Sequence, residues 1–195
     1  AKVADDREAV HAREQQIDDG QIRRVGGVAL EGDLAGRRRA EQRPALVGEE
    51  TEDVVGAGTV LSVDQADRAV DAGAQFIVMP GFGDAVVARC IARGVPVFPG
   101  VVTPTEVMRA LDAGITDVKF FPAGTSGGLA HLKALGGPFP GVRFIPTGGI
   151  GPAGLAAYLA LPSVLAVGGS WMVRPESLEA GDWATVRALA AEAAA

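Results

Sequence analysis

Residues 117–150 read DVKFFPAGTSGGLAHLKALGGPFPGVRFIPTGGI, and they contain one complete repeat of the pattern from which the fold can be predicted. A short β-rich run begins at Asp117, and a second begins at Arg143. Between them, an Ala- and Leu-rich segment from Gly128 to Leu135 has helical period. Strand, helix and strand in that order predict two parallel strands joined by a crossover helix.

The same unit recurs on both sides of this stretch, about every 22 residues. Six units fill residues 54–170, and the 53 residues before them leave room for two more. Eight units close a (β/α)8 TIM barrel, so we predict that architecture for a single domain spanning residues 1–195. An open doubly wound sheet is the alternative. The predicted strands begin near Val54, Phe76, Val95, Asp117, Arg143 and Val164.

The composition is that of a soluble globular protein, with 48% hydrophobic and 22% charged residues among 195. A net charge of -6 argues against a nucleic acid or an anionic membrane as a partner. No apolar run approaches the ~20 residues that span a bilayer, and no signal peptide is visible. The single cysteine, Cys90, excludes an internal disulfide and favours a reducing compartment, so we expect a cytoplasmic protein.

Lys119 is the candidate nucleophile of this sequence. Alternate residues of a strand face opposite sides, so Lys119 shares its face with Phe121 and not with Phe120. Inside a barrel, low-dielectric surroundings lower the pKa of a lysine and make its amine nucleophilic towards a ketone. The alternative is a structural lysine that snorkels from the strand end or pairs with Asp117.

Two glycine pairs follow the last two predicted strands. If the two remaining units come first, the strands that begin near Arg143 and Val164 are the seventh and eighth of the barrel. Gly148-Gly149 follows the seventh, and Gly168-Gly169, with Ser170 next in sequence, follows the eighth. Barrel enzymes often bind a phosphate with these two loops, where bare glycine amides and a hydroxyl can donate to phosphate oxygens. The alternative is that the glycines only make tight turns.

Thr59 and Pro80 follow the first two regular strands. Thr59 could donate a hydrogen bond to a substrate carboxylate or carbonyl, and Pro80 could line a pocket. No metal is expected, because His11, His131 and Cys90 have no ligand-like spacing, and Cys90 is interpreted as a core residue. No cofactor is expected, and the sequence has no dinucleotide fingerprint. It also has no nucleophile elbow of the serine-hydrolase type.

Five stretches match one known family in order and spacing. They are VGAGTV (55–60), FPG (98–100), KFFP (119–122), PTGGI (146–150) and GGSW (168–171). From about residue 53 onwards the sequence thus resembles the bacterial 2-keto-3-deoxy-6-phosphogluconate (KDPG) aldolase / 4-hydroxy-2-oxoglutarate (KHG) aldolase family. The resemblance implies a (β/α)8 barrel and a homotrimer, without metal or cofactor. It also implies a class I aldolase (a lyase) of carbohydrate metabolism and the Entner-Doudoroff pathway.

By the same resemblance, the enzyme cleaves KDPG to pyruvate and glyceraldehyde 3-phosphate, or KHG to pyruvate and glyoxylate, through a lysine Schiff base. Lys119 takes the place of that lysine, and Glu31 falls at the position of the general base. The substrate-binding positions are Thr59, Pro80, Lys119 and Thr147. The phosphate-binding positions are Gly148, Gly149, Gly169 and Ser170.

Residues 1–52 depart from the family, whereas residues 53–195 supply regular units three to eight. Ala35 stands where the family has a carboxylate-binding arginine, and Gly32-Asp33 replaces a strand-favouring Val-Thr. One hypothesis is frame-shifted translation, because codons for Gly32 to Gly36 read one base later can spell the missing Val-Thr-Leu-Arg. The other is genuine divergence, with the catalytic base lost or moved.

Two other functions remain open at this point. The first is a non-catalytic barrel that binds a phosphorylated ligand and has lost its general base and carboxylate-binding arginine. The second is a barrel of the thiamine-phosphate-synthase type, which would need a diphosphate and metal site. The sequence has no carboxylate cluster that would form such a site.

Overall fold

The computed structural model describes residues 13–18, 21–26, 28–31 and 54–194, with the backbone alone for the strands before residue 32 and for residue 194. The strands are β1 (Arg13–Asp18), β2 (Gln21–Gly26), β3 (Val28–Glu31), β4 (Val55–Ala57), β5 (Phe76–Val78), β6 (Val97–Phe98), β7 (Gly100–Val101), β8 (Asp117–Phe120), β9 (Arg143–Pro146) and β10 (Ala166–Gly169). The helices are α1 (Val63–Asp71), α2 (Asp84–Ala92), α3 (Pro104–Asp112), α4 (Gly128–Gly136), α5 (Pro152–Leu159), α6 (Pro175–Glu179) and α7 (Trp183–Ala194).

Strands β4 to β6 and strands β7 to β10 form two series of parallel neighbours. β4 pairs with β5 and β5 with β6, while β7 pairs with β8 and β8 with β9. Parallel bridges from Phe144 to Val164 and from Thr147 to Gly168 join β9 to β10. β6 and β7 are the two halves of the strand predicted near Val95, divided at Pro99. The six predicted units are therefore present, and the predicted α/β architecture is confirmed.

The helix bounds also follow the prediction. α4 occupies Gly128–Gly136, one residue longer than the predicted segment from Gly128 to Leu135. The Asp182 carboxylate caps α7 by accepting a hydrogen bond of 3.1 Å from the Thr185 N–H. The short α6, which begins at Pro175, was not predicted. Among the described helices, none is both long enough and apolar enough to cross a membrane.

The first three strands pair differently from the strands that follow them. β1 and β2 form an antiparallel pair, in which Arg13 lies opposite Gly26, and β1 also pairs in parallel with β4. β3 pairs antiparallel with β10. The sequence shows no convincing strand at residues 13–18, because the segment has few β-branched or aromatic residues. Its strand conformation comes from pairing with neighbours on both edges.

Two apolar clusters fill the space between the strands and the helices. Val118 and Phe120 of β8 are fully buried in the first, together with Phe144 of β9. Cys90 belongs to the second, which confirms it as a core residue. Because side chains alternate along a strand, the burial of Val118 and Phe120 among the helices turns Lys119 towards the opposite face of β8.

Glu106 closes the amino end of α3. Thr103 and Glu106 form a capping box, in which the Glu106 carboxylate accepts hydrogen bonds of 2.8 Å from the N–H groups of Val102 and Thr103. Burial raises the pKa of the Glu106 carboxyl, but these hydrogen bonds outweigh it and leave the pKa below its ordinary value of 4.5. The cap therefore anchors the connection that leaves β7.

Replacing Glu106 with glutamine should lower the free energy of unfolding by about 1 kcal/mol at neutral pH, because the cap loses its charge-assisted hydrogen bonds. A carboxyl with a lowered folded-state pKa contributes stability above pH 4.5, and this stability is lost as the pH falls through the folded-state value. Urea unfolding between neutral and acidic pH should therefore show a smaller loss of stability for Glu106→Gln than for the wild type. Glu192→Gln, at an exposed site on α7, is the control. Parallel pH curves for wild type and Glu106→Gln would contradict the prediction.

Candidate active site

Lys119 lies in the middle of the parallel ladder and is buried. It pairs with Gly100 of β7 and Ile145 of β9, and its side chain is only 6% exposed. Its Nζ atom lies 4.4 Å from the centroid of the Phe121 ring, which confirms that the two side chains share a face. This burial excludes a lysine that snorkels into solvent. Asp117 was the possible ion-pair partner of Lys119 in the structural alternative. Its carboxylate accepts two hydrogen bonds of 2.7 and 2.8 Å from the Arg143 guanidinium.

The two glycine loops lie side by side. The bridge between Thr147 and Gly168 joins their backbones, and a Cβ atom added to Gly168 would lie 2.5 Å from the Thr147 Oγ1 atom. Gly148 and Gly149 have φ angles of 93° and 75°, in the left-handed region that favours glycine. The structure thus brings the predicted phosphate-binding residues together, and it shows that two of the glycines are also required by their own backbone.

Residues 123–124, which were not predicted to belong to the site, connect the end of β8 to the loop that contains Gly148 and Gly149. The N–H groups of Ala123 and Gly124 donate hydrogen bonds of 2.9 Å to the carbonyl oxygens of Thr147 and Gly148. A Cβ atom on Gly124 would lie 3.2 Å from the Gly149 carbonyl oxygen, so the two loops are in close contact. The one sequence signal was the small size of these residues, which is too general to predict a contact.

Thr59 and Pro80 both come shortly after the carboxyl ends of their strands, as predicted. Thr59 follows β4 and is partly exposed, while Pro80 follows β5 and lies against β7. A Cβ atom on Gly100 would lie only 2.1 Å from the Pro80 carbonyl oxygen. Carboxyl ends of parallel strands meet on one rim of a barrel, which is the rim that carries barrel active sites.

Glu31 is described by its backbone alone. It ends β3 and pairs with Ala166, the first residue of β10. Its side chain lies outside the described residues, as do Gly32, Asp33, Ala35 and His11. The general base is therefore still a prediction.

The geometry of a buried strand lysine beside two glycine loops agrees with the similarity of this chain to known proteins. Residues 10–189 match the family described as "KDPG and KHG aldolase". The chain belongs to this family. It is 54% identical over 151 residues to the 2-dehydro-3-deoxy-phosphogluconate aldolase of Treponema pallidum, covering 77% of this chain and 72% of the relative. It is 44% identical over 170 residues to the KHG/KDPG aldolase of Escherichia coli, covering 87% and 80%.

Two solved structures of similar proteins show what this fold can hold. The KDPG aldolase of Zymomonas mobilis with 3-phosphoglycerate has a TM-score of 0.69 and 45% identity, covering 73% of this chain and 66% of that one. The KDPG aldolase of Legionella pneumophila, with pyruvate captured as a covalent carbinolamine, has a TM-score of 0.69 and 38% identity, covering 73% and 68%. The predicted class I aldolase barrel is thus confirmed at the level of the family, and the chain is a lyase of that class.

Proposed function

We propose that Lys119 is the Schiff-base lysine and that this chain cleaves KDPG to pyruvate and glyceraldehyde 3-phosphate. The observation that carries the proposal is a lysine 6% exposed in the middle of β8, beside two joined glycine loops. A buried amine is disfavoured in its ammonium form and is therefore a better nucleophile near neutral pH. The unphosphorylated KHG, cleaved to pyruvate and glyoxylate, is the second substrate.

In this mechanism the Lys119 amine adds to the C2 ketone of the substrate, and water leaves to give a protonated imine. The imine accepts the electron pair of the C3–C4 bond as a base removes the proton of the C4 hydroxyl. Glu31 is the residue we propose for that base, acting directly or through one water. The aldehyde leaves first, the enamine that remains takes up a proton at C3 to become the pyruvate imine, and hydrolysis of this imine releases pyruvate and restores the amine.

Borohydride reduction in the presence of pyruvate tests this proposal. Reduction of a Lys119 imine should leave a stable secondary amine, seen by mass spectrometry as one added pyruvate-derived group on the peptide that contains Lys119. Folded protein that stays unlabelled at Lys119 would reject the aldolase mechanism. It would favour the non-catalytic phosphate-binding barrel instead.

The phosphate of KDPG is proposed to bind between Gly148-Gly149 and Gly169-Ser170. Gly148 and Gly149, at positive φ, can present their N–H groups without a side chain in the way, and the Ser170 side chain is exposed. Thr59, Pro80 and Thr147 are proposed to contact the pyruvate half of the substrate. Phosphate binding far from the reacting bond would help to position that bond.

Replacing Ser170 with alanine should raise the KM for KDPG about tenfold, because a hydrogen bond to a charged group is lost. The KM for KHG, which has no phosphate, should stay within about twofold of the wild type on the same reasoning. Coupled assays of pyruvate release from both substrates measure the two values. Ser163→Ala is the matched control, because the Ser163 side chain packs beside Gly136 in the helix layer. Equal losses for both substrates would reject Ser170 as a phosphate ligand.

The chain is also proposed to form a homotrimer in the cytoplasm. A groove of about 310 Å³ between α2 and α3 is lined in part by Phe82, Val87 and Ile91. The side chains of Ile91 on α2 and of Met108 and Leu111 on α3 are exposed, and they provide apolar area for a subunit contact. The single cysteine, Cys90, is buried and free, as is usual in a reducing compartment. Sedimentation equilibrium would give the subunit number, and cell fractionation would give the compartment.

Residues 1–195 are proposed to be one barrel domain in which residues 1–52 are atypical. Frame-shifted translation of part of residues 1–52 would account for the missing arginine at Ala35 and for the polar replacements beside Glu31. Sequencing the gene tests this hypothesis, and DNA that encodes the printed residues in one frame would reject it in favour of divergence.

A further inference from the structure

The Phe121 ring lies against the nitrogen at which charge develops in the proposed reaction. The Lys119 Nζ atom is 4.4 Å from the ring centroid, inside the distance of about 6 Å at which a cation is attracted to an aromatic face. Lys119 is 6% exposed, so little water screens this contact. The contact is therefore of the desolvated kind, in which the attraction is largest.

The ring is held in this position by backbone on its other sides. The Phe121 N–H donates a hydrogen bond of 3.4 Å to the Val101 carbonyl. A Cβ atom added to Gly148 would lie 3.1 Å from the ring Cε2 atom, so the ring packs against the backbone of the glycine loop. The hydrogen bonds of Ala123 and Gly124 to that loop keep the two segments together. The ring face is thus preorganised beside the nitrogen before any substrate binds.

We propose that Phe121 is a catalytic residue whose ring face stabilises the positive charge on the Lys119 nitrogen in the protonated imine. This inference rests on the proposed role of Lys119. When the amine adds to the ketone and water leaves, the nitrogen becomes formally positive and remains tethered in place by the lysine chain. The negative face of the aromatic quadrupole stabilises that charge. Phe121 therefore increases the fraction of enzyme held as imine.

The ring stabilises the protonated imine, but it does not stabilise the transition state in which the C3–C4 bond then breaks. As the C3–C4 bond breaks, its electron pair moves to the nitrogen and the positive charge disappears. An interaction that is lost in this transition state favours imine formation without speeding cleavage. Weakening the ring's attraction should therefore raise the KM for substrate without lowering kcat.

The alternative is that Phe121 only excludes water from the site. In that role the shape of the ring matters, but the negative charge density on its face does not. The two roles separate when fluorine replaces ring hydrogens, because fluorination withdraws electron density from the ring face and changes its shape little. Site-specific incorporation of mono-, di- and trifluorinated phenylalanine at position 121 gives such a series in the full-length chain. The same series at Phe144, fully buried in β9 among core side chains, is the matched control.

The measurement is the pyruvate concentration that gives half-maximal borohydride labelling of Lys119. We expect it to rise stepwise with each fluorine at position 121, by about tenfold over the series, with no trend at position 144. A flat series at 121, or the same trend at both positions, would overturn the role of Phe121 while leaving the Lys119 assignment intact. Wild-type protein that cannot be labelled at Lys119 would instead overturn the proposed function itself, and this inference with it.

Discussion

Replacing Lys119 with methionine should lower kcat/KM for KDPG by about four orders of magnitude or more, the scale of loss when the nucleophile of a covalent mechanism is removed. Methionine keeps the length and apolar stem of lysine, so it should fit the buried site beside Phe121 with little change in packing. It has no amine, so neither the carbinolamine nor the imine can form. The assay is pyruvate release over a long incubation with highly purified protein.

Lys133→Met is the matched control for this experiment. Lys133 lies in α4, on an exposed part of the helix, and is the other lysine in the described part of the chain. The same substitution there should leave kcat/KM within about twofold, as expected for a surface change. Circular dichroism and the urea midpoint should show that both variants are folded. If folded Lys119→Met protein still turns over KDPG at a tenth of the wild-type rate, Lys119 is not the nucleophile.

Replacing Gly100 with alanine should lower the free energy of unfolding by about 3 kcal/mol or more, in the range of a severe overpacking change. A Cβ atom at Gly100 would lie 2.1 Å from the Pro80 carbonyl oxygen and 2.6 Å from the Gly81 nitrogen. Both are backbone atoms, so no side chain can rotate to relieve the clash. The end of β5 must move away from β7, which also pairs with Lys119.

Urea unfolding followed by circular dichroism measures this loss, with Gly141→Ala as the control. A Cβ atom at Gly141 would meet nothing within 4 Å, so that variant should keep the wild-type midpoint. Equal urea midpoints for Gly100→Ala and Gly141→Ala would mean that β5 can move away from β7 with little loss in the free energy of unfolding. The clash with Pro80 would then not limit the fold.

The regular part of the fold was predictable because strand and helix periods are local. The β-rich run at Asp117 and the helical period of Gly128 to Leu135 each need only their own residues to be recognised. Connections in a parallel α/β unit are short and of one hand, so the order of such segments leaves few topologies. In the site, the same reasoning predicted the side of β8 on which the Lys119 side chain lies, because side chains alternate along a single strand.

The contacts made across the sheet could not be predicted from local pattern. Pro99 divides the strand predicted near Val95 into β6 and β7, which the local pattern did not indicate. The antiparallel pairing of β3 with β10 and the hydrogen bond from Ala123 to Thr147 join segments that are distant in sequence. Phe121 is an example in the site itself. The sequence placed it on the same face as Lys119, but its distance from Nζ depends on the Gly148 backbone that packs against the ring.

By itself, the sequence determined the order of the six β/α units from residue 54 onwards, the face on which Lys119 lies, and the family. These depend on residue type and spacing along the chain, and no folding is needed to read them. The burial of Lys119, the bridge between the two glycine loops and the contact of the Phe121 ring with Nζ became visible in the folded structure. Burial and distance are properties of segments brought together from different strands, so a linear sequence contains them only through the packing that it produces.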